Sequence, residues 1–160
     1  MILVTVGMQL GFDRLIEAMD ALAPGLETPV VAQIGRGSYV PQNMEAHTSI
    51  PPQDFEAMVA ASKVIVSHAG IGSVLTAARH SKPIVLFPRR ASLGEHRNDH
   101  QLATVANLSD RPGILVAETE GDLKEQIYRG LAYGEVSYRA SHQADALNRA
   151  VAQFIETGAL

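Results

Sequence analysis

The chain has 160 residues, 46% of them hydrophobic and 19% charged, which is enough for one ordinary globular domain. Thirteen Lys and Arg against seventeen Asp and Glu leave a net charge of −4, and aromatics reach only 5% with no Trp, a balance that argues against a nucleic-acid module, which would show a basic face or stacking rings. Cysteine is absent, which excludes disulfides and cysteine-ligated metal sites; a chain this long can bury about 70% of its unfolded surface without them.

The apolar run from Met1 to Val6 stops at Gly7 and has no basic segment before it. It reads as a buried strand rather than a secretory leader. No stretch approaches the ~20 apolar residues that span a bilayer, and the expectation is a cytoplasmic protein. Ile2 to Val6 predicts the first strand, followed by a loop from Gly7 to Gly11. Leu15, Ile16, Met19 and Leu22 recur at helical spacing and predict a helix from Phe12 to Ala23, ended by Pro24-Gly25. Val30 to Ile34 predicts a second strand running into Gly35-Arg36-Gly37, and Ala46 to Ile50 a short third one. Pro51-Pro52 opens a helix over Gln53 to Ala61, where proline's missing N–H would have no partner anyway.

The strand Lys63 to Ser67, the tight loop His68 to Gly72, the Ala-rich helix Ser73 to His80 and the strand Pro83 to Phe87 form a βαβ unit. Such a unit makes the sheet parallel and its crossover right-handed. A polar stretch, Pro88 to Arg97, leads to a helix from about Asn98 to Asn107, a strand Ile114 to Val116 and a helix Leu123 to Ala132. Ala140, Ala144, Leu147, Val151 and Phe154, at steps of four and three, predict a last amphipathic helix over about 138–156. It packs on its own domain or docks on a partner. The expectation is a single α/β domain over 1–160, a Rossmann-like doubly wound parallel sheet with ligands at the carboxyl ends of its strands.

Three loops with glycine follow predicted strands, at Gly7, Gly35/Gly37 and Gly70/Gly72, and all open on that edge. Gly70 and Gly72 bracket a helix start with Ser73 in its first turn. Free amides and the positive end of the helix dipole suit a diphosphate there, with Ser73 as a hydroxyl donor and His68 as a donor to the phosphates or to a sugar hydroxyl. The plainer reading is a tight turn. The spacing is not the dinucleotide fingerprint, because position 75 is Leu, and no Gly-Lys-Ser/Thr step is present.

The run from Pro88-Arg89-Arg90 to Gln101 supplies a polar wall beside this loop. It reads either as a hydroxyl-binding surface or as a solvated loop capped by Asn98 or Asp99. Arg89, Arg90 and Arg97 read either as partners for a carboxylated sugar or as surface charge. His96 and His100, at i and i+4, have no third metal ligand in view. There is no Asp-x-Asp pair to hold a metal on a nucleotide diphosphate, no Gly-x-Ser-x-Gly elbow and no cysteine nucleophile.

Ser67-His68-Ala69-Gly70-Ile71-Gly72-Ser73 through Pro83-Ile84-Val85-Leu86-Phe87-Pro88, followed by Asn98-Asp99-His100-Gln101, resembles the C-terminal, donor-binding half of family 28 GT-B glycosyltransferases. It is most similar to the free-standing small subunits of two-component transferases that build dolichol-linked chitobiose or bacterial exopolysaccharide. Val4-Thr5-Val6-Gly7 with Phe12-Asp13-Arg14-Leu15-Ile16 strengthens the likeness, which spans residues 1 to about 110. The resemblance implies half of a GT-B fold. It implies a UDP-sugar donor, no metal or other cofactor, and inverting transfer to a lipid-linked saccharide.

It also implies a membrane-associated, acceptor-binding partner subunit that recruits the chain to the inner face of the membrane; apart from the resemblance, a homo-oligomer burying the C-terminal helix is a structural alternative in the partner's absence. Gly7, Gly70, Gly72 and Ser73 would hold the diphosphate. Gly35, Arg36 and Thr76 would lie by the uracil and ribose, and Asn98, His100 and Gln101 by the sugar. His68 would be the base candidate within this chain, although the base is expected on the partner. Thr76 stands where many members carry a Glu that binds the ribose hydroxyls; a Thr cannot accept two hydroxyl protons as a carboxylate does. That departure sustains an alternative, a nucleotide-sugar-binding regulatory module without transferase activity.

Overall fold

The computed structural model describes residues 1–138. Strands β1 (Ile2–Thr5), β2 (Val30–Gln33), β3 (Glu45–His47), β4 (Val64–His68), β5 (Ile84–Phe87) and β6 (Ile114–Val116) form one sheet. Their order is β3-β2-β1-β4-β5-β6, and every pair is parallel. Helices α1 (Asp13–Leu22), α2 (Pro52–Ala61), α3 (Ile71–Arg79), α4 (His100–Leu108) and α5 (Glu120–Tyr133) cover both faces.

The period-2 pattern of the strands decides which helix goes where. Ile2, Val4 and Val6 point to the face that packs Leu15, Ile16 and Met19 of α1 with Leu123 and Ile127 of α5. Leu3 and Ile65 point to the other, with Val59 of α2, Val74 and Ala77 of α3, and Val105 and Leu108 of α4. Strands buried on both sides read as unbroken apolar runs, which is why they were legible. The strand order reverses at β1, flanked by β2 on one side and β4 on the other. The crevice at such a reversal is where open α/β sheets bind ligands.

The boundaries differ from expectation where side chains or glycines take over the first helical turn. Helix α3 starts two residues before Ser73, because the Gly70 carbonyl accepts the amides of Ser73 (3.1 Å) and Val74 (3.3 Å) and nucleates the turn. Helix α4 starts at His100 rather than Asn98. The Asn98 Oδ1 accepts the His100 amide at 3.3 Å, so Asn98 lies outside the helix, whose N-cap residue is Asp99. Helix α5 starts early, at a capping box formed by Thr119 and Asp122. Strand β3 is shorter than expected and lies earlier; Ile50 is buried but pairs with no strand. The helix expected over 138–156 lies, beyond Tyr138, outside the described residues.

Candidate active site

The loops after β1 and β4 meet at the switch point, and His68 is the side chain between them. It closes β4, half-buried, with its imidazole against both glycine turns. A Cβ on Gly7 would stand 3.0 Å from His68 Cε1, and one on Gly70 would stand 2.3 Å from Nε2. Gly7 also holds φ +81°, a left-handed conformation that L side chains rarely adopt. The two glycines therefore make room for the ring. Ser67, fully buried, places its hydroxyl 3.3 Å from His68 Nδ1 and 2.8 Å from the Ser73 hydroxyl, linking strand end to helix start.

Burial, reinforced by the positive charge of Arg89, pushes the His68 imidazolium down to about 4. The ring is neutral at pH 7. It can donate one hydrogen bond and accept one, and it is a weak proton acceptor.

The amides around it divide into committed and free ones. Ala69 donates to Gln101 Oε1 at 3.1 Å and Gly70 to the His68 carbonyl at 2.8 Å. Ile71 and Gly72, the first two residues of α3, have no acceptor within the helix or elsewhere among the described residues. Gly72 is exposed, and a Cβ there would meet nothing within 4 Å. Two free amides, the positive end of a nine-residue helix and a neutral imidazole thus share one open corner.

The other expected residues gather less tightly. Gln101 is buried, and its Oε1 is used up by the amides of Ala69 and Arg89, which leaves its NH2 group as the part that can reach a ligand. Asn98 and His100 lie at the start of α4, and Asn98 Oδ1 also contacts His96 Nδ1 at 3.1 Å. His96 is thus in the loop rather than one helical turn before His100, and the spacing argument for a metal pair lapses. Thr76 is one turn along α3 from Ser73, and its Oγ1 accepts from the Arg79 guanidinium at 3.3 Å. Gly35 abuts Val6 and the Leu10 carbonyl. Arg36 is exposed and lines a shallow hollow of about 380 Å³ with Gly11, Asp13, Arg14, Ser38 and Leu93. That hollow lies on the same edge but does not include the start of α3.

Two further features were not anticipated. Arg89 is neither a sugar ligand nor surface charge: it is 2% exposed, and its guanidinium donates to the carbonyls of Val6 (3.0 Å), Leu10 (3.0 Å) and Gly11 (2.6 Å). Arg14 holds both carboxylate oxygens of Glu95, at 2.6 and 3.0 Å, and so latches the loop after β5 onto α1. A cation directly after a buried strand was the available signal for the first; the second pair, far apart in sequence, gives none.

An open corner with free amides lies at the switch point of a 3-2-1-4-5-6 sheet, and residues 1–156 match the glycosyltransferase family 28 C-terminal domain. The chain belongs to that family. The UDP-N-acetylglucosamine transferase subunit ALG13 of Cryptococcus neoformans is 33% identical over 76 residues, covering 46% of this chain and 36% of that protein. Among solved structures, MurG of Acinetobacter baumannii superposes with a TM-score of 0.57 at 18% identity, over 92% of this chain and 49% of that one. The glycosyltransferase SnogD of Streptomyces nogalater gives 0.55 at 21%, over 92% and 37%. These structures share the fold: the family 28 domain here is a Rossmann-like half of the GT-B architecture. It spans about a third of the length of its curated relative and less than half of the solved chains. No helix among the described residues is long and apolar enough to cross a membrane.

Proposed function

We propose that this family 28 domain is the UDP-sugar-binding subunit of a two-component inverting glycosyltransferase acting on a lipid-linked acceptor. The observation that carries this reading is the pair of free amides at Ile71 and Gly72, beside a neutral His68 on the switch-point edge. In the transfer, the acceptor hydroxyl attacks the anomeric carbon from the face opposite UDP. The bond from that carbon to the phosphate oxygen breaks, and UDP leaves with the electron pair. Its new charge falls on the Ile71 and Gly72 amides and the α3 dipole, which do for the leaving group what a metal does elsewhere. The neutral His68 ring lines the same corner, its N–H donated to the Thr5 backbone carbonyl. Its weak basicity assigns the acceptor's proton to a base on the partner.

Four of the six large apolar side chains exposed among the described residues also favour a partner. Met8, Leu10, Val40 and Leu93 sit on loops that leave the carboxyl ends of the strands. A second Rossmann-like, membrane-associated subunit closing over that edge would cover them, complete the cleft and bring the chain to the cytoplasmic face of the membrane. The relative named a transferase subunit supports the two-component arrangement. The alternative, a regulatory module that binds the nucleotide sugar without transferring it, is favoured by Thr76 at the ribose position.

Calorimetry on the wild-type chain tests the first step. UDP and at least one UDP-hexose are expected to bind, and dTDP more weakly. A chain that binds no uridine nucleotide contradicts both readings. Binding without glycoside formation, once the partner and a lipid-linked acceptor are supplied, selects the regulatory module.

A further inference from the structure

The least expected group near the site is Arg89. Burying a guanidinium is costly unless it is paired, and pairing usually means a carboxylate. Here no carboxylate among the described residues touches it. The nearby Glu95 carboxylate is held by Arg14 and by the Arg90 amide at 2.8 Å, and only its backbone carbonyl reaches Arg89, at 3.5 Å. The partners of Arg89 are the loop carbonyls of Val6, Leu10 and Gly11, with the Phe12 ring 4.5 Å away. A full positive charge is therefore kept beneath the Gly7–Gly11 loop, with no counter-ion in contact among the described residues.

Two consequences follow from elementary geometry and electrostatics. In a trans peptide the C=O and N–H point opposite ways. Carbonyls of Leu10 and Gly11 drawn in toward Arg89 turn the amides of Gly11 and Phe12 the other way, and neither amide has an acceptor among the described residues. The charge is also felt across the corner, since it disfavours the imidazolium of His68. A potential that repels a cation at His68 attracts an anion placed beside it.

We propose that Arg89 sets the site's preference for the diphosphate over the bare nucleoside. It is a positioning residue that orients the Gly7–Gly11 loop from below and lends positive potential to the corner of Gly7, His68 and Gly72 without touching the ligand. This rests on the reading of that corner as the diphosphate site.

The test compares UDP with uridine, by ¹H–¹⁵N NMR titration, in the wild type, Arg89→Met and Arg89→Lys. The wild type binds UDP more tightly than uridine. Arg89→Met is expected to lose at least tenfold in UDP affinity with uridine affinity changed less than twofold. Arg89→Lys, which keeps the charge, recovers most of the preference. A role confined to holding the fold lowers both affinities together, and that result overturns the inference, as does an intact preference in Arg89→Met. Should Arg89→Met fail to fold, Arg89→Lys decides: a folded Lys variant without the preference also overturns it. A wild type that binds neither ligand removes the donor-site reading and this role together. A wild type that binds UDP while the variants keep its preference removes only the role of Arg89.

Discussion

Replacing Gly72 with Asp is expected to weaken UDP binding by a hundredfold or more while leaving the fold as stable as before, or slightly more so. The two effects have opposite signs for separate reasons. Position 72 is the second residue of α3, its φ is not in the left-handed region, and an added Cβ would meet nothing within 4 Å. An Asp there gains about 0.3–1 kcal/mol from the helix dipole and replaces a poor helix former. The same carboxylate stands where the proposed diphosphate would approach. Two like charges at about 4 Å near a protein surface repel by roughly 4 kcal/mol, more than the ~2.7 kcal/mol that a hundredfold loss requires. Calorimetry and thermal unfolding on the same preparation separate the outcomes. Weaker binding with a lower Tm would point to damage instead, and unchanged UDP affinity would move the phosphates elsewhere.

Asp20 carries the largest stability effect expected of a polar side chain. It is 2% exposed on α1, and its carboxylate accepts the amides of Gln42 (3.0 Å) and Asn43 (2.7 Å) and the Tyr39 hydroxyl (2.8 Å), pinning the loop between β2 and β3. Burial alone would raise its pKa. The hydrogen bonds from Gln42, Asn43 and Tyr39 outweigh burial and hold it below the usual carboxylate range. Asp20→Ala leaves these donors without an acceptor, at a cost on the order of 3 kcal/mol, or roughly 10 °C in Tm for a chain of this size. The sign of the pH dependence follows from the lowered value. The contribution of Asp20 is complete above its unfolded pKa of about 3.9 and is lost as pH falls through the lower folded value. His68 adds a step of the same direction at higher pH. Its folded value of about 4 lies below the unfolded ~6.5, so the unfolded chain takes up its proton first and stability declines across that interval. Urea unfolding of wild type and Asp20→Ala between pH 3 and 7 is expected to show the difference between them shrinking below about pH 4. A constant difference would contradict the assignment.

The sequence revealed most of the scaffold because strands buried on both faces are written as apolar runs, from Ile2 to Val6 through Pro83 to Phe87. The glycine turns were legible for a related reason: Gly7 and Gly70 make room for the His68 ring in ways that need the missing Cβ. What stayed hidden depends on partners distant in the chain. Arg14 and Glu95, Arg89 and Gly11, and Asp20 and Asn43 meet only after folding, and composition treats each of these charges as surface. Gln101 was expected at the sugar, but two amides take its carbonyl oxygen, so half of its hydrogen-bonding capacity serves the scaffold. The start of α3 was misplaced by two residues for an instructive reason. Glycine is a poor helix interior residue but costs little in a first turn, so Gly72 does not mark the helix start.

The most direct measurement is a titration of the ¹⁵N-labelled wild-type chain with UDP, followed residue by residue. The largest amide shifts are expected at Ile71 and Gly72, with the His68 ring signals moving in step and uridine alone leaving those amides nearly still. Shifts that instead centre on the hollow around Arg36 and Ser38, with Ile71 and Gly72 unmoved, would contradict it.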